Sequence, residues 1–186
     1  MASEYRILES RTLFENRMVR LVVDTLEYDG QSRPYYYLES PVESVATIGL
    51  TADQKIILTR QYRHPIRLTI YDLPAGALRP GEPILEGARR EFEEETGFFP
   101  NHIEYLGYFN QFPGSLKAGT NLFFARDLTQ TQQHLDPGEE LEIEFFTVAE
   151  VLEKILTGEI IDGSLQLGVL LALRKGLLPD PTPTPA

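Results

Sequence analysis

The stretch from Gly76 to Phe98 constrains this chain more than any other. It reads Gly-Ala-Leu-Arg-Pro-Gly-Glu-Pro-Ile-Leu-Glu-Gly-Ala-Arg-Arg-Glu-Phe-Glu-Glu-Glu-Thr-Gly-Phe. Pro80, Gly81 and Pro83 break regular structure, so the first half is predicted to be a loop. The second half is predicted to be a helix, with Pro83 suited to its first turn and Gly97 to its C-terminal cap. Glu91, Glu94 and Glu95 then fall at i, i+3 and i+4 and share one helical face. Like charges at that spacing cost a helix about 0.2–0.5 kcal/mol per pair, and no local relief of that conflict is expected from the sequence. A solvated acidic face is the usual fate of such a run. Clustered carboxylate oxygens also suit a hard divalent cation, Mg²⁺ or Mn²⁺.

The surrounding spacing favours the second reading. Gly76, Glu82, Arg90, Glu91, Phe92, Glu94, Glu95, Gly97 and Phe98 fill every fixed position of the pattern G-x5-E-x7-R-E-U-x-E-E-x-G-U, where U is bulky and apolar. On those residues the chain resembles the Nudix hydrolase family. The resemblance implies an α/β/α sandwich with a mixed sheet, and it makes the first ~45 residues an additional N-terminal β region.

Composition narrows the classes further. The length of 186 residues suits one domain with a modest extension, and an apolar fraction of 42% supplies a core. No apolar run approaches the ~20 residues that span a bilayer. Met-Ala-Ser-Glu-Tyr-Arg at the start lacks the apolar centre of a signal peptide. Cysteine is absent, which excludes disulfides and thiolate metal sites. A cytoplasmic protein is expected. The net charge of -11 opposes nucleic-acid binding, since phosphate backbones are met by clustered Lys and Arg. A phosphorylated small molecule needs local cations for the same reason.

Strands are predicted within residues 10 to 28, over Pro34 to Glu39, Val45 to Leu50, Lys55 to Tyr62 and Leu68 to Leu73, with a turn at Asp29-Gly30. After the central helix, strands are predicted at Ile103 to Phe109, Asn121 to Leu128 and Leu141 to Thr147, with a polar loop over Asp127 to Gly138. A short helix follows at Ala149 to Leu156, and Asp162 caps a last one that stops at Gly176. The predicted division is an N-terminal β region over 1–44, a domain over 45–176, and a disordered Pro-rich tail over 177–186.

Roles follow from the resemblance. It implies metal-dependent attack of water on a nucleoside-linked diphosphate, with Glu91, Glu94, Glu95 and the carbonyl of Ala75 as metal ligands. Glu82 and Arg90 are read as a salt bridge pinning loop to helix, and Gly76 and Gly97 as backbone-conformation residues. Gln61-Tyr-Arg-His-Pro, Asp72-Leu-Pro-Ala-Gly and Pro113 resemble the branch that cleaves ADP-ribose and nucleoside diphosphate sugars. That branch commonly has Glu where Asp72 stands, and acidic residues where Lys117 and Ala118 stand. Arg63 and Pro113 are the expected substrate contacts. In the branch a loop glutamate acts on the attacking water; Glu139 is the nearest match, with Glu140 and Glu142 beside it. The branch also forms homodimers through its N-terminal strands. Hydrolysis of another nucleotide, a triphosphate or a dinucleotide, and a non-catalytic nucleotide sensor are the alternatives.

Overall fold

The computed structural model describes residues 5–180. In chain order the first half holds β1 (Arg6–Glu15), β2 (Arg20–Tyr28), β3 (Gln31–Glu39), β4 (Ser44–Leu50), β5 (Lys55–Arg63), β6 (Leu68–Asp72), β7 (Ala75–Ala77) and α1 (Ile84–Thr96). The second half holds β8 (Phe98–Asn110), β9 (Leu116–Lys117), β10 (Gly119–Gln130), β11 (Leu141–Thr147), α2 (Val148–Leu156) and α3 (Gly163–Arg174). The contacts divide the chain into two compact units, residues 1–43 with 110–119, and residues 44–109 with 120–186.

The first unit is a sheet of order β1-β2-β3-β9. Asp29 and Gly30, both at positive φ (49° and 72°), make the tight turn between β2 and β3. Strand β1 is exposed along its whole length. The division expected from sequence, at 44/45, puts residues 110–119 in the second domain. They belong with the first, because β9 runs parallel to β3 and pairs Leu116 with Leu38 and Lys117 with Glu39. A two-residue strand has no periodicity to announce it.

The second unit is a mixed sheet of order β11-β5-β4-β10-β8, with β6 on β5 and β7 on β4. Strands β4 and β10 are parallel, while β5 is antiparallel to β4 and to β11. Both faces are covered. Val45, Phe123, Ile57 and Ala125 pack on Ala88 and Phe92 of α1. Ala46, Ile48, Leu122 and Phe124 point the other way, into a cluster with Val148 and Val151 of α2 and Leu165, Val169 and Ala172 of α3. Burial on both faces is why β4 and β10 read as continuous apolar runs rather than alternating ones. This is the α/β/α sandwich expected.

Helix α1 is fixed in depth by one small residue. A Cβ on Gly49 of β4 would lie 2.4 Å from the Phe92 ring, so only glycine lets Phe92 bury completely. Two boundaries differ from expectation. Strand β10 continues to Gln130, past a residue at positive φ, Asp127 (54°). Leu177 and Leu178, assigned from sequence to the tail, pack on the core, with Leu178 only 5% exposed; residues 181–186 of that tail lie outside the described residues. No helix among the described residues is long and apolar enough to cross a membrane.

Candidate active site

The stripe of α1 that faces the sheet carries Ala88, Phe92, Glu95 and Thr96, all buried. Three of these suit a core, and the fourth is a carboxylic acid. Glu95 is 3% exposed and its Oε2 accepts from the backbone N–H of Ala75 at 2.9 Å. Burial pushes its pKa from 4.5 to about 8, eased by the Ala75 hydrogen bond and raised further by the charges of Glu139, Glu91 and Asp72. Glu91 is also raised, first by desolvation and then by Glu94 and Glu139, against the pull of Arg90.

Gly76 acts differently from the expectation. Its φ is not positive; what matters is space. A Cβ there would lie 2.2 Å from Cδ of Glu91, so Gly76 is the floor on which the Glu91 carboxylate rests. Gly97 does take the left-handed conformation (φ 70°) that closes α1, and its N–H donates to the carbonyl of Glu93.

Arg90 organises the acidic residues around it. It grips Glu82 with two bonds, Nε to Oε1 at 2.7 Å and Nη2 to Oε2 at 2.8 Å. Its Nη1 donates to Glu91 at 2.7 Å and to Glu94 at 2.9 Å, and Nη2 also reaches the carbonyl of Ala77. The Arg90 guanidinium holds Glu82 down at about 2, and the Arg79 N–H adds to that effect. Arg79, which sequence reasoning passed over, also reaches Glu94 at 3.1 Å.

These bonds divide the three glutamates. Glu95 turns to Ala75, Glu91 lies over Gly76 against Arg90, and Glu94 is held by Arg90 and Arg79. Among the described residues no group of three or more His, Cys, Asp or Glu side chains is drawn together closely enough to hold an ion. The expected convergence of Glu91, Glu94 and Glu95 is corrected to that extent. The donor set nonetheless suits a hard cation. Glu95 has no ion-pair partner among the described residues; the charges of Glu139, Glu91 and Asp72 raise its proton affinity, and those of Glu94 and Glu139 raise that of Glu91.

Asp72 is buried at 4% exposure, one strand away from Thr59, whose hydroxyl donates to it. Arg63 donates to the same carboxylate from Nε at 2.9 Å and again from Nη2. Desolvation pushes Asp72 up despite Arg63. Arg63, expected as a substrate contact, is therefore anchored by Asp72, with its side chain still 42% exposed. The i, i+9 distance between them gave no signal until the β5–β6 hairpin register was known.

Glu139 lies on the loop between β10 and β11, and its charge raises both Glu91 and Glu95. It also lines an open cavity of about 480 Å³ with Arg60, Tyr62, Thr69, Glu140 and Glu142. Glu142 itself pairs with Arg60 at 3.4 Å. Pro113 belongs to the other unit, where it lines a cavity of about 160 Å³ with Tyr35, Tyr37 and Lys117.

The model of the NUDIX domain matches residues 41–164. The methanol dehydrogenase activator of Bacillus methanolicus is 32% identical over 94% of this chain and 96% of its own length. The ADP-ribose pyrophosphatase of Bacillus subtilis (strain 168) is 28% identical over the same shares of the two chains. A solved structure of an ADP compounds hydrolase superposes with a TM-score of 0.84 over 94% of each chain, at 24% identity, and so shares the fold.

Proposed function

This chain belongs to the NUDIX family and is a Nudix hydrolase, and from that premise we propose that it hydrolyses the diphosphate of ADP-ribose or a related nucleoside diphosphate sugar in a reaction dependent on Mg²⁺ or Mn²⁺. The observation that carries the reading is the buried Glu95, bonded to the Ala75 backbone and raised by the charges of Glu139, Glu91 and Asp72. A carboxylate set of this kind is costly to the fold unless a cation is its purpose.

Glu91, Glu95 and the carbonyl of Ala75 would hold the ion, with Glu94 joining them by exchanging Arg79 and Arg90 for it. When bound, a divalent cation neutralises phosphate oxygens and acidifies water at the site. The chain's own groups do the rest. Glu139 takes the proton from the attacking water as its oxygen bonds to phosphorus. The anhydride P–O bond breaks, and a nucleoside monophosphate and a sugar phosphate leave. Arg63, held by Asp72, presents a guanidinium to the phosphate or ribose. Arg90 orients Glu91 and Glu94 from behind. The cavity beside Glu139 is of nucleotide size, and ligand pockets of ~300–1,000 Å³ are the norm.

The ADP-ribose pyrophosphatase among the relatives supports the substrate class. The charge of -11 supports a small nucleotide over a polymer. We further propose a homodimer built through the N-terminal strands, supported by the exposed Ile7, Leu13 and Phe14 of β1, to be checked by light scattering. The central test is a panel of ADP-ribose, other nucleoside diphosphate sugars, a dinucleotide and ATP, run with Mg²⁺ and with EDTA. Metal-dependent release of AMP from ADP-ribose is expected. A preference for ATP, or binding without turnover, overturns the proposal.

A further inference from the structure

We infer that residues 131–134 are a strap fastened to the end of α1, and that Gln133 is a positioning residue which sets the reach of Glu139. The inference rests on the reading of Glu139 as the base. Three hydrogen bonds make the strap. The Thr131 N–H donates to the carbonyl of Gly97 at 2.7 Å, the His134 N–H to the carbonyl of Glu94 at 2.8 Å, and the Gln133 side-chain amide to the carbonyl of Glu95 at 2.7 Å. The last turn of a helix leaves its carbonyls without partners, and here a loop from a distant part of the chain supplies them.

Gly97 admits the strap. A Cβ at that position would lie 3.0 Å from the backbone nitrogen of Gln133 and 3.3 Å from the carbonyl carbon of Gln132. The glycine that closes the helix is also the seat on which the loop backbone rests. The strap grips the carbonyls of Glu94 and Glu95, so it is attached to the same turn that presents the acidic side chains. Five residues beyond His134 stands Glu139, in a turn closed by its own N–H on the carbonyl of Asp136 at 3.0 Å. The other end of the loop is fastened where Leu141 pairs with Gln61 of β5. Between two anchors, a short segment has little freedom. Among the described residues Gln133 supplies the strap's side-chain bond to the helix end, and that bond goes to a backbone carbonyl rather than to a carboxylate.

The test combines Gln133→Met, which keeps the length and removes the donor, with Glu139→Gln and the double variant, assayed on the full chain with Mg²⁺ and ADP-ribose. Gln133→Met is expected to lower kcat about tenfold with KM within twofold, to speed hydrogen–deuterium exchange over 135–140, and to leave Tm within about 2 °C. In the Glu139→Gln background the same change is expected to lower kcat less than twofold, because the lost bond acts through that side chain. Wild-type kcat in Gln133→Met, alongside a crippled Glu139→Gln, overturns the strap and leaves the base assignment standing. A tenfold loss that persists in the double variant overturns it as well. Wild-type kcat in Glu139→Gln removes the base assignment and the inference with it.

Discussion

Replacing Glu95 by Gln is expected to stabilise the fold and abolish turnover together. Glu95 is 3% exposed and its pKa rises from 4.5 to about 8. Between those values the folded chain keeps a proton that the unfolded chain has released. Stability therefore falls as pH rises through this window; the cost is absent below 4.5 and complete above 8. Each unit is worth about 1.4 kcal/mol, so 2.5 units of the window (from 4.5 to pH 7) cost the fold about 3 kcal/mol. Gln removes the charge, and its side-chain carbonyl still accepts from the Ala75 N–H. Urea denaturation in EDTA at pH 5, 7 and 8 measures the difference. The variant should be about 3 kcal/mol more stable at pH 7 and under about 1 kcal/mol more stable at pH 5, with a shallower dependence on pH between them. Mg²⁺ should raise the Tm of the wild type and leave that of the variant almost unchanged. A variant less stable than the wild type at pH 7 in EDTA, with a parallel pH profile, would refute the reasoning that crowded carboxylates strain this site.

Gly76→Ala should displace the Glu91 carboxylate, since the new Cβ would lie 2.2 Å from Cδ; we expect at least a hundredfold loss of kcat and a weaker response of Tm to Mg²⁺, read by kinetics and calorimetry. Glu82→Gln should cost about 1–3 kcal/mol at neutral pH by breaking the paired bonds from Arg90. Because Glu82 is held at about 2, its contribution is present above the ordinary carboxylate value of 4.5 and is lost as pH falls toward 2, so wild type and variant should converge in acid denaturation. Phe92→Ala should cost about 3–5 kcal/mol in urea denaturation, because the ring is fully buried against Gly49 and leaves a cavity there.

The sequence alone determined the helix of the motif, its glycine cap, the strands on either side and the family, because period, breakers and fixed spacing are properties of neighbouring residues. It also named Glu91, Glu94, Glu95, Arg90 and Glu82 as one constellation. Only the tertiary structure decided what each of them touches. Arg90 could be matched to Glu82 by pattern, but its hold on Glu91 and Glu94 depends on where the loop from Ala77 to Glu82 crosses the helix. Gly76 is expected from the motif as a backbone-conformation residue and proves to be a clearance for Glu91, which no single segment encodes. Arg63 joins Asp72 through a hairpin register, and Thr131 to His134 join α1 across more than thirty residues of chain. Burial is the common cause. Whether a carboxylate is desolvated, and which backbone closes over it, is set by the packing of strands and loops that are distant in sequence, and so it is the fold that turns an acidic stretch of helix into a site.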